Sequence, residues 1–157
     1  MRNVKRIALL FLTVIVVCHV NLLQAQTFEN YSTINTGANA LPDLHITALL
    51  EDSGGDLWIG TEYGGLARYD GAEWMTRYVP YAESSDLGLN LISEICEPDN
   101  GEIWVCTHGG IQTFDGSTWE LITWEDGIIS NTVYDMTQTP GGDIWIATAY
   151  GLSKYDG

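Results

Sequence analysis

Residues 46–61 read ITALLEDSGGDLWIGT, and the same register returns as ISEICEPDNGEIWVCT at 92–107 and as VYDMTQTPGGDIWIAT at 133–148. A glycine loop leads each copy into a matching tail: GLARYDG at 65–71, GIQTFDG at 110–116 and GLSKYDG at 151–157. The first two copies run on alike, into Glu73-Trp74 and Thr118-Trp119. Trp58 and Trp104 are 46 residues apart, Trp104 and Trp145 41. A period in the forties is too long for leucine-rich or ankyrin arrays and suits four-stranded propeller blades or paired-helix repeats.

Helices do not fit the pattern between the punctuation marks. Gly-Gly, Asn-Gly or Asp-Gly recurs often enough to stop a helix before its third turn. The runs between are rich in Ile, Leu, Val, Trp, Tyr and Thr, the strand formers. Four strands per unit are expected, in the first unit at about Ile46–Glu51, Asp56–Thr61, Leu66–Tyr69 and Glu73–Tyr78. Gly54-Gly55, Asn100-Gly101 and Gly141-Gly142 supply the positive φ of tight hairpins, and Asp70-Gly71, Asp115-Gly116 and Asp156-Gly157 do so one hairpin later.

The second strand decides between the all-β architectures. Leu57-Trp58-Ile59, Ile103-Trp104-Val105 and Ile144-Trp145-Ile146 are apolar on both faces of the pleat, whereas a strand with one wet face would alternate. Burial on both sides is what stacking sheet on sheet around a ring requires. Gly60, Cys106 and Ala147 follow the triads, small enough to let sheets approach. The expected fold is an all-β propeller of four-stranded antiparallel blades: blades at 44–79 and 90–124, an incomplete blade at 131–157, and a lone outer strand at 27–33 that aligns with Glu73-Trp74-Met75-Thr76-Arg77. Three units fall short of a closed ring of ~4–8 blades, so the chain reads as the amino-terminal part of a longer protein. An open arc would leave two blade faces uncovered.

Residues 1–25 read as an address. Met1 to Arg6 is basic, Ile7 to Val20 is apolar, and a short polar exit ends at Ala25, the order of a cleaved secretory signal peptide. An uncleaved anchor would need ~20 apolar residues where this run has 14 and includes His19. A lipoprotein would use Cys18, but bulky Val17 precedes it. The expected location is therefore periplasmic or extracellular. Removing Arg2, Lys5 and Arg6 takes the formal charge from −15 to −18 and leaves Arg68, Arg77 and Lys154 as the only bases. Such a surface repels phosphate backbones and anionic headgroups, which excludes nucleic acid as a partner. Export also places Cys96 and Cys106 in an oxidising compartment. A two-residue turn at Asn100-Gly101 would pair Cys96 with Val105 and aim the sulfurs poorly; a cross-hairpin disulfide is the alternative to two small buried thiols.

The pattern Asp-x-x-Gly-(Asp/Glu)-(Leu/Ile)-Trp-(Ile/Val)-(Gly/Ala)-Thr, a glycine loop, then (Leu/Ile)-x-x-(Tyr/Phe)-Asp-Gly resembles the two-component regulator propeller repeat. Copies stand at 52–71, 99–116 and 140–157, with Pro140 in place of the initial acid in the third. In that family such repeats build the extracytoplasmic sensor of membrane-spanning hybrid histidine kinases. Those sensors are seven-bladed propellers, often paired, and several recognise oligosaccharides from polysaccharide breakdown. Other members are secreted or surface propellers without a kinase. The resemblance implies a carbohydrate-responsive receptor whose remaining blades and signalling domains lie in the same protein, tethered to the membrane through that region. A dimer of the full-length protein is one arrangement it suggests.

Propellers commonly bind ligands at one end of the central channel, on loops between blades and between second and third strands. Here these loops present Tyr63, His108 and Tyr150, with Tyr81 and Trp124 on the inter-blade connections. Aromatic faces beside acidic and amide groups suit neutral sugars, whose C–H surfaces stack on rings while hydroxyls bond to carboxylates. Trp58, Trp104 and Trp145 are read as packing, and Thr61, Thr107, Thr148, Asp70, Asp115 and Asp156 as structural positions of the repeat. Asp52, Asp56, Asp99 and Glu102 could furnish a glycosidase pair, but they sit in hairpin turns where Asp and Asn stabilise the bend. Asp99-Asn100-Gly101-Glu102 lacks the spacing of a calcium loop, and His45 and His108 have no triad partners. No catalytic residue, metal or cofactor is assigned. The rival readings are a secreted or surface propeller that binds protein or glycan, and a polysaccharide-active propeller enzyme.

Overall fold

A computed structural model of the chain describes residues 29–32, 41–77 and 91–156. Eleven strands form three antiparallel sheets among these residues. Blade 1 runs β1 (Ile46–Glu51), β2 (Leu57–Thr61), β3 (Leu66–Tyr69), β4 (Trp74–Arg77) in spatial as in chain order. Blade 2 repeats it with β5 (Ile92–Cys96), β6 (Ile103–Thr107), β7 (Gly110–Phe114) and β8 (Trp119–Ile122). The third sheet holds β9 (Val133–Gln138), β10 (Ile144–Thr148) and β11 (Gly151–Tyr155). The sheets meet through their first strands, β1 on β5 and β5 on β9. The fold is an arc of a β-propeller. The leader at 1–25, Tyr81, and Thr27, Phe28 and Thr33 of the proposed outer strand lie outside the described residues. The described part of that strand, residues 29–32, pairs in no sheet, and instead Tyr31 has its ring against Tyr69 and Trp74, with centroids 6.4 and 5.7 Å apart.

Two apolar cores hold the arc, one at each seam. Ala48, Trp58 and Leu66 of blade 1 pack on Ile92, Ile95, Ile103 and Val105 of blade 2. The opposite face of blade 2 turns Trp104, Cys106 and Ile111 towards Ile128, Val133, Met136, Ile144 and Ile146. Every residue of β6 is buried, as a strand apolar on both faces demands. Its aliphatic side chains, Ile103 and Val105, each contribute roughly 1.5–3 kcal/mol by leaving water. Trp58 and Trp104 are 4% and 2% exposed, while Trp145 is half-buried. At Gly60 the approach is so close that a Cβ would stand 2.5 Å from the Ile92 methyl, so the strand admits nothing larger there.

The first hairpins differ from the expected two-residue turns. Gly55, Gly101 and Gly142 take positive φ, but Gly54 and Gly141 do not. The Asp52 carbonyl accepts from Gly55 N, and Asp52 N donates to Asp56 O, which makes a type I turn followed by a left-handed glycine. The longer loop moves the register by one residue, so Cys96 faces Trp104 instead of Val105. β2 accordingly begins at Leu57 instead of Asp56. The same register places Pro98 and Thr139, and not Asp99 and Pro140, at the position of Asp52. The second hairpins are two-residue loops, with positive φ at Gly71 and Gly116.

A polar clamp crosses each seam at the hairpin end. Ser53 N and Oγ donate to the two oxygens of Glu97, both at 2.6 Å. One blade on, Asp99 N donates to Gln138 Oε1 at 2.9 Å. Glu97 and Gln138 occupy one position of the repeat, Ser53 and Asp99 another. Pro140 holds the latter place in the third sheet and has no N–H to offer.

Candidate ligand-binding end of the arc

The loops between second and third strands share one end of the arc, opposite the hairpin turns. A threonine hydroxyl pins each of them. Thr61 Oγ1 donates to Gly65 O at 2.7 Å and accepts from Gly64 N at 3.1 Å. Thr107 bonds Gly110 O and Gly109 N in the same way, and Thr148 bonds Gly151 O and Tyr150 N. Because these hydroxyls are buried or nearly so, each bond is made without competing water, which fixes the loop that follows.

Two of these loops carry their side chains into edge-on ring pairs. His45 meets Tyr63 at 6.0 Å and 81°, and His108 meets Tyr134 of β9 at 6.0 Å and 79°. Tyr134 was not singled out from the sequence, and His45 was weighed only as a triad member, not as a ligand-binding residue. Tyr134 stands where Thr47 and Ser93 stand in the other blades, so the repeat alignment carried a signal in its departure from small hydroxyl residues. Tyr150 is 80% exposed and Trp124 62%, and the ring contacts among the described residues leave both outside the two pairs. Trp124 opens a short 3-10 turn, Trp124–Asp126, capped by Thr123 and Asp126, with its N–H bonded to Asn131 Oδ1 at 2.7 Å.

Asp43 organises the first pair. Its carboxylate accepts from Leu44 N, His45 N, His45 Nδ1 and Tyr63 N. Burial pushes the Asp43 pKa up, but these bonds outweigh it and hold the carboxyl below the usual range. The Tyr63 pKa is raised, first by its hydrogen bond to the Glu62 carboxylate. The end thus offers phenol and imidazole edges, open ring faces and anionic acceptors, which can hold a ligand with both C–H surface and hydroxyl donors.

The acids considered for catalysis sit at the other end, and the carboxylates of Asp52, Asp56 and Glu102 are held in structural bonds. Asp52 accepts from Trp58 Nε1 at 2.7 Å and from two turn amides, and Asp56 takes the Arg68 guanidinium. Glu102 accepts from Trp104 Nε1 at 3.0 Å. Asp70 caps Ala72 and Glu73, Asp115 caps Ser117 and Thr118, and Asp156 follows β11. Cys96 and Cys106 are free thiols. No cluster of metal-binding side chains occurs among the described residues.

Residues 40–63 and 127–150 match the family described as two component regulator propeller. No curated protein matches the chain. Among solved structures, the extracellular domain assigned to the hybrid two component system BT3049 from B. thetaiotaomicron superposes with TM-score 0.64 at 20% identity, over 82% of this chain and 19% of that one. The corresponding domain of BT4673 from the same organism gives 0.57 at 25% identity, over 71% and 16%. PorZ, a surface component of the type-IX secretion system of Porphyromonas gingivalis, gives 0.54 at 21%, over 71% and 17%. The chain therefore spans less than a fifth of the length of these structures.

Proposed function

We propose that this chain, built of two-component regulator propeller repeats, is the ligand-binding part of an exported, non-catalytic sensor that answers a neutral oligosaccharide. The observation that carries the reading is the loop end of the arc, where threonine-pinned loops present the His45–Tyr63 and His108–Tyr134 pairs beside exposed Tyr150. Rings offer stacking surface, Glu62 offers an acceptor for sugar hydroxyls, and Asp43, filled by its own four bonds, holds the first pair in place. A rigid end of this kind gives a signal by binding one placement of the downstream domains, or of a partner subunit, better than another.

The test is a panel of plant and host oligosaccharides against the full-length protein, read by isothermal calorimetry and by assay for released reducing ends. We expect saturable binding of at least one neutral glycan without turnover. Tyr63→Ala, His108→Ala and Tyr150→Ala should each weaken it about tenfold or more, the loss of a ring contact worth ~1.4 kcal/mol. Release of reducing ends would overturn the non-catalytic part of the reading, and binding indifferent to all three substitutions would overturn the site.

A further inference from the structure

Between the outer halves of blades 1 and 2 lies a cleft that runs towards the hairpin turns. One chamber has a volume of about 320 Å³ and is lined by Trp58, Leu66, Met75, Phe114 and Trp119. A second, of about 220 Å³, adjoins it across the hairpin turns and shares Trp58, Arg68 and Phe114. Its polar lining includes Asp52, Glu97 and Asp115. Arg68 lies over the Trp58 ring at 5.2 Å and is matched by Asp56. The three remaining carboxylates therefore leave the cleft with an excess of negative charge. An ionised carboxylate has about four acceptor positions. Asp115 uses four and Asp52 three, so Glu97, which uses two, is the acceptor with most room for an incoming cation.

This combination is not a by-product of the repeat. The cavity at the next seam, about 240 Å³, has Lys154 and a single acid, Asp126, in its lining, and Ile128 is buried in the core beside it. Aromatic walls open to Met75, itself 50% exposed, next to an uncompensated acidic chamber, occur only at the first seam of the described arc.

We propose that this cleft docks an extended segment of a partner protein bearing a leucine or aromatic residue followed two positions later by lysine or arginine. The first chamber has the volume and lining for such a side chain. In an extended chain, residues i and i+2 project on the same side about 6.6–6.8 Å apart, which carries the second side chain into the adjoining acidic chamber. A chain with formal charge −15 attracts a basic segment and repels an acidic one.

The probe is acetyl-Gly-Phe-Gly-Lys-Gly-amide, titrated into the full chain while the indole N–H resonances of Trp58 and Trp119 are followed. Saturable shifts of both are expected, weakening as salt is added. The peptide with glutamate in place of lysine should bind at least tenfold more weakly, as should the lysine peptide to Met75→Lys, a substitution at an exposed position whose melting temperature reports that the fold is kept. Equal binding of both peptides, unchanged binding to Met75→Lys, or stationary indole resonances at millimolar peptide would each overturn the proposal.

Discussion

Cys96 and Cys106 lie on one face of blade 2, because Cys96 pairs with Trp104 and Glu94 with Cys106 across the hairpin. Burial, followed by the nearby carboxylates of Glu94 and Asp135, pushes the Cys96 thiol up from 9.0 to about 12, and burial pushes Cys106 up as well. Neither is a thiolate at neutral pH, so both fill space. The folded state keeps the Cys96 proton where the unfolded chain releases it, so the stabilisation is complete below pH 9 and is lost as pH rises towards 12. Unfolding should become roughly tenfold more favourable per pH unit from this thiol alone. In urea titrations between pH 8 and 11, Cys96→Ala should lose stability less steeply than the native chain, and parallel curves would contradict the account. That both sulfurs share a face was not legible in the sequence. Asn100-Gly101 has the look of a two-residue turn, and only the carbonyl of Pro98, accepting from Gly101 N, shows that the loop is one residue longer. Trp58 and Trp104 were legible at this scale because an apolar triad with no wet face calls for cover on both sides, whereas Trp145, in a sheet with one covered face, is half-buried.

At the scale of elements, the blades were readable and their fastenings were not. Strand-forming runs cut by glycine gave β1 and β3 of the first blade with their bounds and the four-strand order of a blade, since each signal is local. The Ser53–Glu97 clamp joins residues 44 apart on different blades, and nothing in either neighbourhood announces it. The same distance explains the loop end: Tyr63 and His108 stood out as loop aromatics, but the partnership of His108 with Tyr134 depends on how blade 3 stacks on blade 2. The clamp makes a definite expectation. Both Ser53 bonds are short and end on an ionised acceptor, so Glu97→Ala should destabilise by about 1–2 kcal/mol. Glu97→Gln keeps an oxygen for the Ser53 amide and should lose less than half as much. A double-mutant cycle of Ser53→Ala with Glu97→Ala, measured by denaturant unfolding, should show coupling confined to the hydroxyl bond. Additive losses would mean that the seam holds without that bond.

The described arc has two seams, and both repeat one aromatic contact. Trp58 meets Phe114 at 6.0 Å and Trp119 at 6.3 Å, and Trp104 meets Tyr155 at 5.5 Å, so each blade's tryptophan rests on the ring that ends the next blade's third strand. Stability in such an array is close to a sum of unit and neighbour terms. Blade 2 gains from both sides: β6 is buried throughout, and four of the five residues of β7 are. The third sheet gains from one, and in β11 only Ser153 is partly covered. Amide exchange should reflect that difference, with β6 protected to the global limit and β11 opening earlier. Substitution gives the same contrast in energy. Val105 is 0% exposed and faces the seam with blade 1, so Val105→Ala should cost about 1–3 kcal/mol through lost burial and the space left behind. Leu152 is 58% exposed, and Leu152→Ala should fall within about 0.5 kcal/mol of neutral. If β11 proved as slow to exchange as β6, or Leu152→Ala as costly as Val105→Ala, the third sheet would have to be covered by protein on its second face. The extent of that protection would then measure how much of a ring closes around the arc.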